Sequence, residues 1–233
     1  MAFLVFQLKA PLASFGASLG DFKGTALRPR KSAVLGLVAA ALGIERQETA
    51  RFQELFAHLQ FAVAELKAPT VLHEFQTVHS PARAFGRTRL DQLASGECNT
   101  SLVPRDYLQD GHWLVALEGH EAHLLAVQSA LQSPRFPLYL GRKACPLSAF
   151  TAPLLVPHAD CVSAAFQAWV ENVFVSVPKH PIPVAWEKGM TSGLRAALSR
   201  RTNDVRNSLV ANFFTSREEL EGFFDLKGAP SCT

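Results

Sequence analysis

The sequence predicts an α+β fold of the ferredoxin-like or RRM-like type. Its elements run βαββαβ, with an arm inserted between the second and third core strands and a smaller β-rich part after them. Three observations predict this. Short runs dense in β-branched and aromatic residues alternate with segments whose apolar residues recur at helical spacing. Through Leu140 their order is strand, helices, strand, arm, strand, helix, strand. The composition, 48% hydrophobic and 18% charged over 233 residues, is that of a folded chain with a substantial core.

Ala2 to Lys9, AFLVFQLK, reads as the opening strand. Ala10 to Leu27 reads as a loop of small residues with Gly16, Gly20 and Gly24, which let a backbone approach a ligand closely. Ser14, Phe15 and Lys23 lie in it. The loop suits a phosphate cradle or a plain crossover, and no P-loop pattern is present. Phe15 suits a base-stacking platform or a lid over the core.

Arg28-Pro29-Arg30-Lys31-Ser32 then leads into a helix from Ala33 to Ile44. Pro29 suits a helix start and Gly43 a helix stop. The helix is apolar nearly all round and must be buried. Its start carries Arg28, Arg30 and Lys31, which need water or anions. Free backbone N–H groups and the positive end of the dipole point the same way. The stretch therefore reads as a buried peg with an anion-seeking tip, or as a core helix with a solvated basic start.

A second helix, Glu45 to Leu59, places Phe52, Leu55, Phe56 and Leu59 on one face. Phe61 to Lys67 is a strand, Pro69 breaks it, and Thr70 to His79 is another extended run. Residues 80–110 have little apolar periodicity and much Arg, Ser, Thr and Gly. They read as an arm, on which Arg83, Arg87 and Arg89 suit backbone phosphates or a solvated loop. His112 to Glu118 is a strand. Glu121 to Gln132 is a helix with Leu124, Val127 and Leu131 inward, and Phe136 to Leu140 is a strand. These elements make a first part, residues 1–148. In the second part, 149–233, prolines punctuate short strands such as Val173 to Val177 and Ile182 to Trp186, with a helix at Cys161 to Val170.

Net charge is only +3, so bulk charge does not announce a nucleic-acid binder. The distribution is uneven. Residues 1–32 carry five cations against Asp21, while Arg142 and Lys143, with Arg135, form a second group. Arg195, Arg200, Arg201 and Arg206 form a third, before an acidic tail after Ser216. No cysteine pair has Cys-x-x-Cys spacing, no signal peptide is present, and no apolar run reaches transmembrane length. A cytoplasmic protein with reduced thiols and no membrane partner is expected.

The eight histidines are scattered. His112, His120 and His123 lack a carboxylate or cysteine spaced to complete a metal site, so neither a metal nor another cofactor is expected. His73, His79 and Lys143 are nominal acid–base candidates for RNA cleavage, but nothing in their spacing brings them together. In Tyr139-Leu-Gly-Arg-Lys-Ala-Cys-Pro146 two cations follow a strand and a glycine turn, which suits an anion contact or a solvated turn.

Four motifs together resemble the CasD, or Cas-five, family of type I-E CRISPR Cascade subunits. They are Ala10 to Gly16, Arg28 to Ile44, Tyr107 to Asp110, and Tyr139 to Ser148. They stand in family order over roughly the first two thirds of the chain, and the last third matches loosely. The resemblance implies an RRM-like fold of the RAMP type with a β-hairpin thumb at about 80–110. It implies a non-catalytic subunit that binds the 5′ handle of the CRISPR RNA and caps the backbone filament. Its partners would be the backbone subunit and the large subunit, with target DNA met through the assembled complex. Family members usually carry Trp where this chain has Phe15, which keeps a stacking face but loses the indole N–H.

The residues expected at RNA are Ser14, Phe15, Gly16, Lys23, Arg28, Arg30, Lys31, Ser32, Arg87, Arg89, Tyr107, Arg142 and Lys143. About five phosphate contacts would give a log–log salt slope near −3.5. The alternatives are a metal-independent endoribonuclease that cuts the repeat, and a protein–protein adaptor.

Overall fold

A computed structural model describes residues 2–19, 22–81, 88–94, 98–149, 151–173, 181–206 and 214–225. In chain order the first elements are β1 (Ala2–Lys9), β2 (Leu12–Ala13), β3 (Phe15–Leu19), β4 (Phe22–Ala26), α1 (Lys31–Ala41), α2 (Thr49–His58), β5 (Gln60–Lys67) and β6 (Thr70–Pro81). Next come α3 (Arg89–Ala94), β7 (Cys98–Gln109), β8 (His112–Gly119), α4 (Glu121–Gln132) and β9 (Leu154–Val156). The last are α5 (Val162–Val173), β10 (Ile182–Glu187), β11 (Ala196–Arg206) and β12 (Phe214–Phe224).

Seven strands form one sheet in the order β11-β12-β10-β5-β8-β1-β9, every neighbouring pair antiparallel. The central strands are buried on both faces, so they read as continuous apolar runs rather than as alternating ones. Leu4, Phe6 and Leu8 of β1 pack with Val34, Leu35 and Val38 of α1 and Leu124 and Val127 of α4. Phe3 and Val5 face the other way, onto Phe166 and Trp169 of α5. The sheet is thus a middle layer with helices on both sides.

Phe136 to Leu140 is not a strand and makes only an isolated bridge, Tyr139 to Pro146. Pro137 removes a backbone donor from that run, and β9 takes the edge beside β1 instead. Ala10 to Leu27 is not a loop, since β2, β3 and β4 lie within it and β3 pairs with β4 from Phe15↔Ala26 to Leu19↔Phe22.

The arm is half of a larger feature. β6 and β7 pair residue for residue from Thr70↔Gln109 to Pro81↔Cys98. The hairpin therefore starts at Thr70 rather than near residue 80, and Thr70 to His79 is its inner strand. Its base joins β2 and β4 in a second sheet. The last third does not stand apart, because β10 pairs with β5 and carries β12 and β11 outward from the main sheet. Hydrogen bonds thus cross the expected division at 148/149. Val173 to Val177 is not a strand as far as it is described, since Val173 closes α5 and residues 174–177 lie outside the described residues. Cys161 is disulfide-bonded, against the expectation of reduced thiols.

Candidate nucleic-acid interface

α1 ends as its sequence dictates. Gly43 takes φ +72°, Ile44 N–H donates to Ala39 O at 2.8 Å and Gly43 N–H to Ala40 O at 3.2 Å, the paired bonds of a Schellman stop. The helix is not buried all round. Ser32, Ala33, Gly36 and Ala40, at helical spacing, remain part-exposed in a stripe of small residues.

At the start of α1 the anion is the protein's own. The Lys31 backbone N–H donates to Asp204 Oδ2 at 2.9 Å, and Asp204 is buried. Lys31 Nζ lies 2.7 Å from Glu187 Oε2, and Lys31 is 4% exposed. Arg28 Nη2 lies 2.9 Å from Glu219 Oε1 and also bonds Glu221. Arg200 reaches the same two glutamates, and Arg217 binds Asp204 and Glu219. Four cations and four carboxylates therefore neutralise one another between α1 and strands β10, β11 and β12.

The electrostatics follow. Burial alone would push the Glu219 carboxyl up, but Arg217, Arg28 and Arg200 together hold it below the usual carboxylate range. Burial also works against the charge on Arg28, and its bonds to Glu221 and Glu219 outweigh that. These facts correct the anion-seeking tip. Arg28 and Lys31 are charged but already partnered, and the helix dipole points at Asp204.

Arg30 is different. It is the N-cap residue in extended backbone, and its guanidinium has no carboxylate partner among the described residues. It lines a cleft of about 290 Å³ with Ser14, Phe15, Gly16, Ser32, Ala33, Gly141 and Asn203. Three of the four sequence motifs meet there. A larger cleft shares Arg30 and Asn203 and is lined by Arg28, Arg200 and Arg201 together with Glu219 and Glu221, so Arg30 and Arg201 are its cations outside the ion-pair cluster. A third shares Ser32, Ala33 and Gly141 and runs along the part-exposed stripe of α1 to Arg46, Phe136 and Tyr139. The three clefts adjoin at these shared residues around the start of α1.

Gly141 locks the fourth motif onto the first. Its φ is +85°, a Cβ there would sit 1.7 Å from the Ser14 carbonyl oxygen, and Ser14 N–H donates to Leu140 O at 3.0 Å.

The other expected site residues are dispersed. Phe15 is 3% exposed and meets the Trp113 ring edge-on at 5.3 Å, so its ring is core and offers no stacking face. Ser14 is buried, and its hydroxyl donates to Asp106 O at 3.3 Å. Gly16, at φ +25°, lines the groove. Tyr107 is buried, its hydroxyl accepts from Gln76, and Arg142 stacks 4.6 Å above its ring. Arg142 also approaches Asp106 O, while Lys143 is exposed on the same turn. Lys23 lies in β4, with its side chain outside the described residues, as is that of Arg89; Arg87 lies outside them entirely.

Sequence reading missed Arg46, Tyr139 and Asn203 as groove residues, and it missed the carboxylates that cover Arg28 and Lys31. The one available signal was the acidic tail following an arginine group, which the β11–β12 register converts into pairs such as Arg200↔Glu219.

His73 Nδ1 lies 2.7 Å from Asp106 Oδ1, and His79 bonds Thr100. Six residues apart on one strand, the two imidazoles are about 20 Å from each other. Among the described residues no group of three or more His, Cys, Asp or Glu is arranged to hold a metal ion, and no helix is long and apolar enough to cross a membrane.

The chain is 32% identical to the CRISPR system Cascade subunit CasD of Escherichia coli strain K12 over 161 residues, 63% of this chain and 68% of that protein. It superposes on the crystal structure of a Cas protein with a TM-score of 0.63 and 26% identity, covering 98% of this chain and 97% of that one. It also shares the fold of a chain in a CRISPR RNA-guided surveillance complex, with a TM-score of 0.68 and 22% identity, covering 99% of this chain and 95% of that one. The family described as CRISPR-associated protein (Cas_Cas5) matches residues 3–215, and this chain belongs to that family.

Proposed function

We propose that this protein is a non-catalytic, RNA-binding subunit of a type I-E-like CRISPR Cascade effector. In this reading it holds the 5′ handle of the CRISPR RNA and caps the backbone filament, in the cytoplasm. It contacts the backbone and large subunits and meets target DNA through the assembled complex. The strands β5-β8-β1-β9, with α1 and α4 on one face, form the ferredoxin-like RAMP core, and the β6–β7 hairpin is its thumb. The observation that carries the reading is the set of adjoining clefts around the start of α1. Arg30, Arg46 and Arg201 line it, and two exposed aromatics stand at one end. A cationic track with stacking faces is the physical requirement for binding a single strand.

One observation favours the endoribonuclease alternative. The Asp106 carboxylate orients the exposed His73 imidazole, as a general base requires. Native and denaturing gels of the same samples, with 5′-labelled repeat RNA in EDTA, separate the two. A shifted and intact RNA is expected. A discrete product, lost in His73→Ala, would make the protein a processing nuclease and overturn the proposal.

A further inference from the structure

We infer that the part of the groove between α1 and the 136–141 segment is a receptor for one unstacked nucleobase, sandwiched between the Tyr139 ring and the Gly36 face of the helix. The inference rests on the RNA-binding reading and specifies what that site takes.

Gly36 is the first observation. It stands in the middle of an α-helix, where glycine is unfavourable relative to alanine. Glycine is normally kept in such a place because a neighbour presses on it. Here nothing presses, since a Cβ built on Gly36 would have no neighbouring atom within 4 Å. Packing of the chain therefore does not account for the residue. Its effect is to keep the helix surface flat and open toward the groove, between the equally small Ala33 and Ala40.

Tyr139 is the second. Its residue is 38% exposed, it lines the same cleft, and its hydroxyl has no partner among the described residues. The backbone holds it in place. Tyr139 bridges Pro146, and the next two residues are tied by Leu140 N–H to Cys145 O and by the close approach of Gly141 to Ser14. An exposed ring on an anchored backbone is preorganised as a stacking platform. Phe136, 39% exposed, stands in the same wall.

Charge is the third. Arg30, beyond the near end of this cleft, and Arg46, at its far end, have no carboxylate partner among the described residues. Cations beyond both ends of a flat, part-apolar slot suit a strand whose backbone passes over the helix while one base enters the slot. An apolar peptide would leave those cations unmatched. A duplex would keep its bases stacked and unable to enter, so the ligand is single-stranded.

The test uses repeat-sequence RNA in which one base at a time is replaced by an abasic site, with binding measured for wild type, Tyr139→Ala, Tyr139→Phe and Gly36→Leu. Tyr139→Ala is expected to bind about tenfold or more weakly, within the range of single base–aromatic stacks, and Tyr139→Phe to restore most of the loss. At one position the abasic RNA should weaken wild type by a similar factor and leave Tyr139→Ala unchanged. Gly36→Leu should melt no lower than wild type, because its Cβ meets no neighbouring atom within 4 Å and leucine is the better helix former, yet bind about tenfold or more weakly. The inference fails if no abasic position couples to Tyr139, or if Gly36→Leu binds the RNA as wild type does. It also fails if Gly36→Leu changes only protein–protein association. Arg30→Ala separates this from the broader reading. Loss of binding there, with Tyr139 and Gly36 silent, keeps the RNA groove and removes the base receptor, whereas wild type with no RNA affinity removes both.

Discussion

His112 opens β8 with its ring buried and its Nε2 2.9 Å from Gln7 Oε1. Burial first, then the charges of Lys9 and Lys67, push its pKa from the ordinary 6.5 down to about 4. Between those two values the unfolded chain takes up a proton that the folded chain refuses. Stability therefore falls as pH drops below about 6.5, and the loss is complete below about 4. Urea midpoints at pH 7 and pH 5 should separate further for wild type than for His112→Gln, which has no proton to gain. Equal separations would show that this imidazole is not held neutral. Lys31 gives the opposite lesson at the same scale. Its position in the sequence points to solvent or phosphate, yet its ammonium is sealed against Glu187.

The elements differ in how far the sequence exposes them. The end of α1 was legible because Gly43 stands just after the last apolar turn and takes the left-handed backbone the stop requires. The core strands β1, β5 and β8 were legible from their apolar runs. The hairpin was half legible, since the polar faces of β6 and β7 lack the pattern that would mark them as mates. Phe136 to Leu140 reads as a strand in the sequence, but its end belongs to a docked turn closed by the Tyr139 to Pro146 bridge. Gly141→Ala tests that docking. A methyl group there would collide with the Ser14 carbonyl while holding a left-handed backbone, at a cost of about 1–3 kcal/mol. The expected result is a lower urea midpoint together with weaker RNA binding. An unchanged midpoint would mean that the turn is not pinned to β2 and β3 as described.

For the whole molecule the consequence is numerical. With Arg28 and Lys31 taken by carboxylates, about three groove cations remain for phosphates. The log–log salt slope should then be near −2 rather than −3.5, at roughly −0.7 per contact. Filter binding from low to moderate salt measures it, and Arg30→Ala should flatten it by somewhat less than one unit. A wild-type slope at −3.5 or steeper would mean that Arg28 and Lys31 exchange their glutamates for RNA. None of this could be read from sequence, because the partners that neutralise Arg28 lie 191 and 193 residues further along the chain.

That separation also orders events in time. On the ribosome, Lys31 emerges 156 residues before Glu187 and 173 before Asp204. Throughout that interval the nascent chain carries an uncapped helix start and uncovered cations. Contacts this distant close slowly and late. The groove is therefore finished only when the last strands have been translated and docked, so an incomplete polypeptide does not present the mature binding surface.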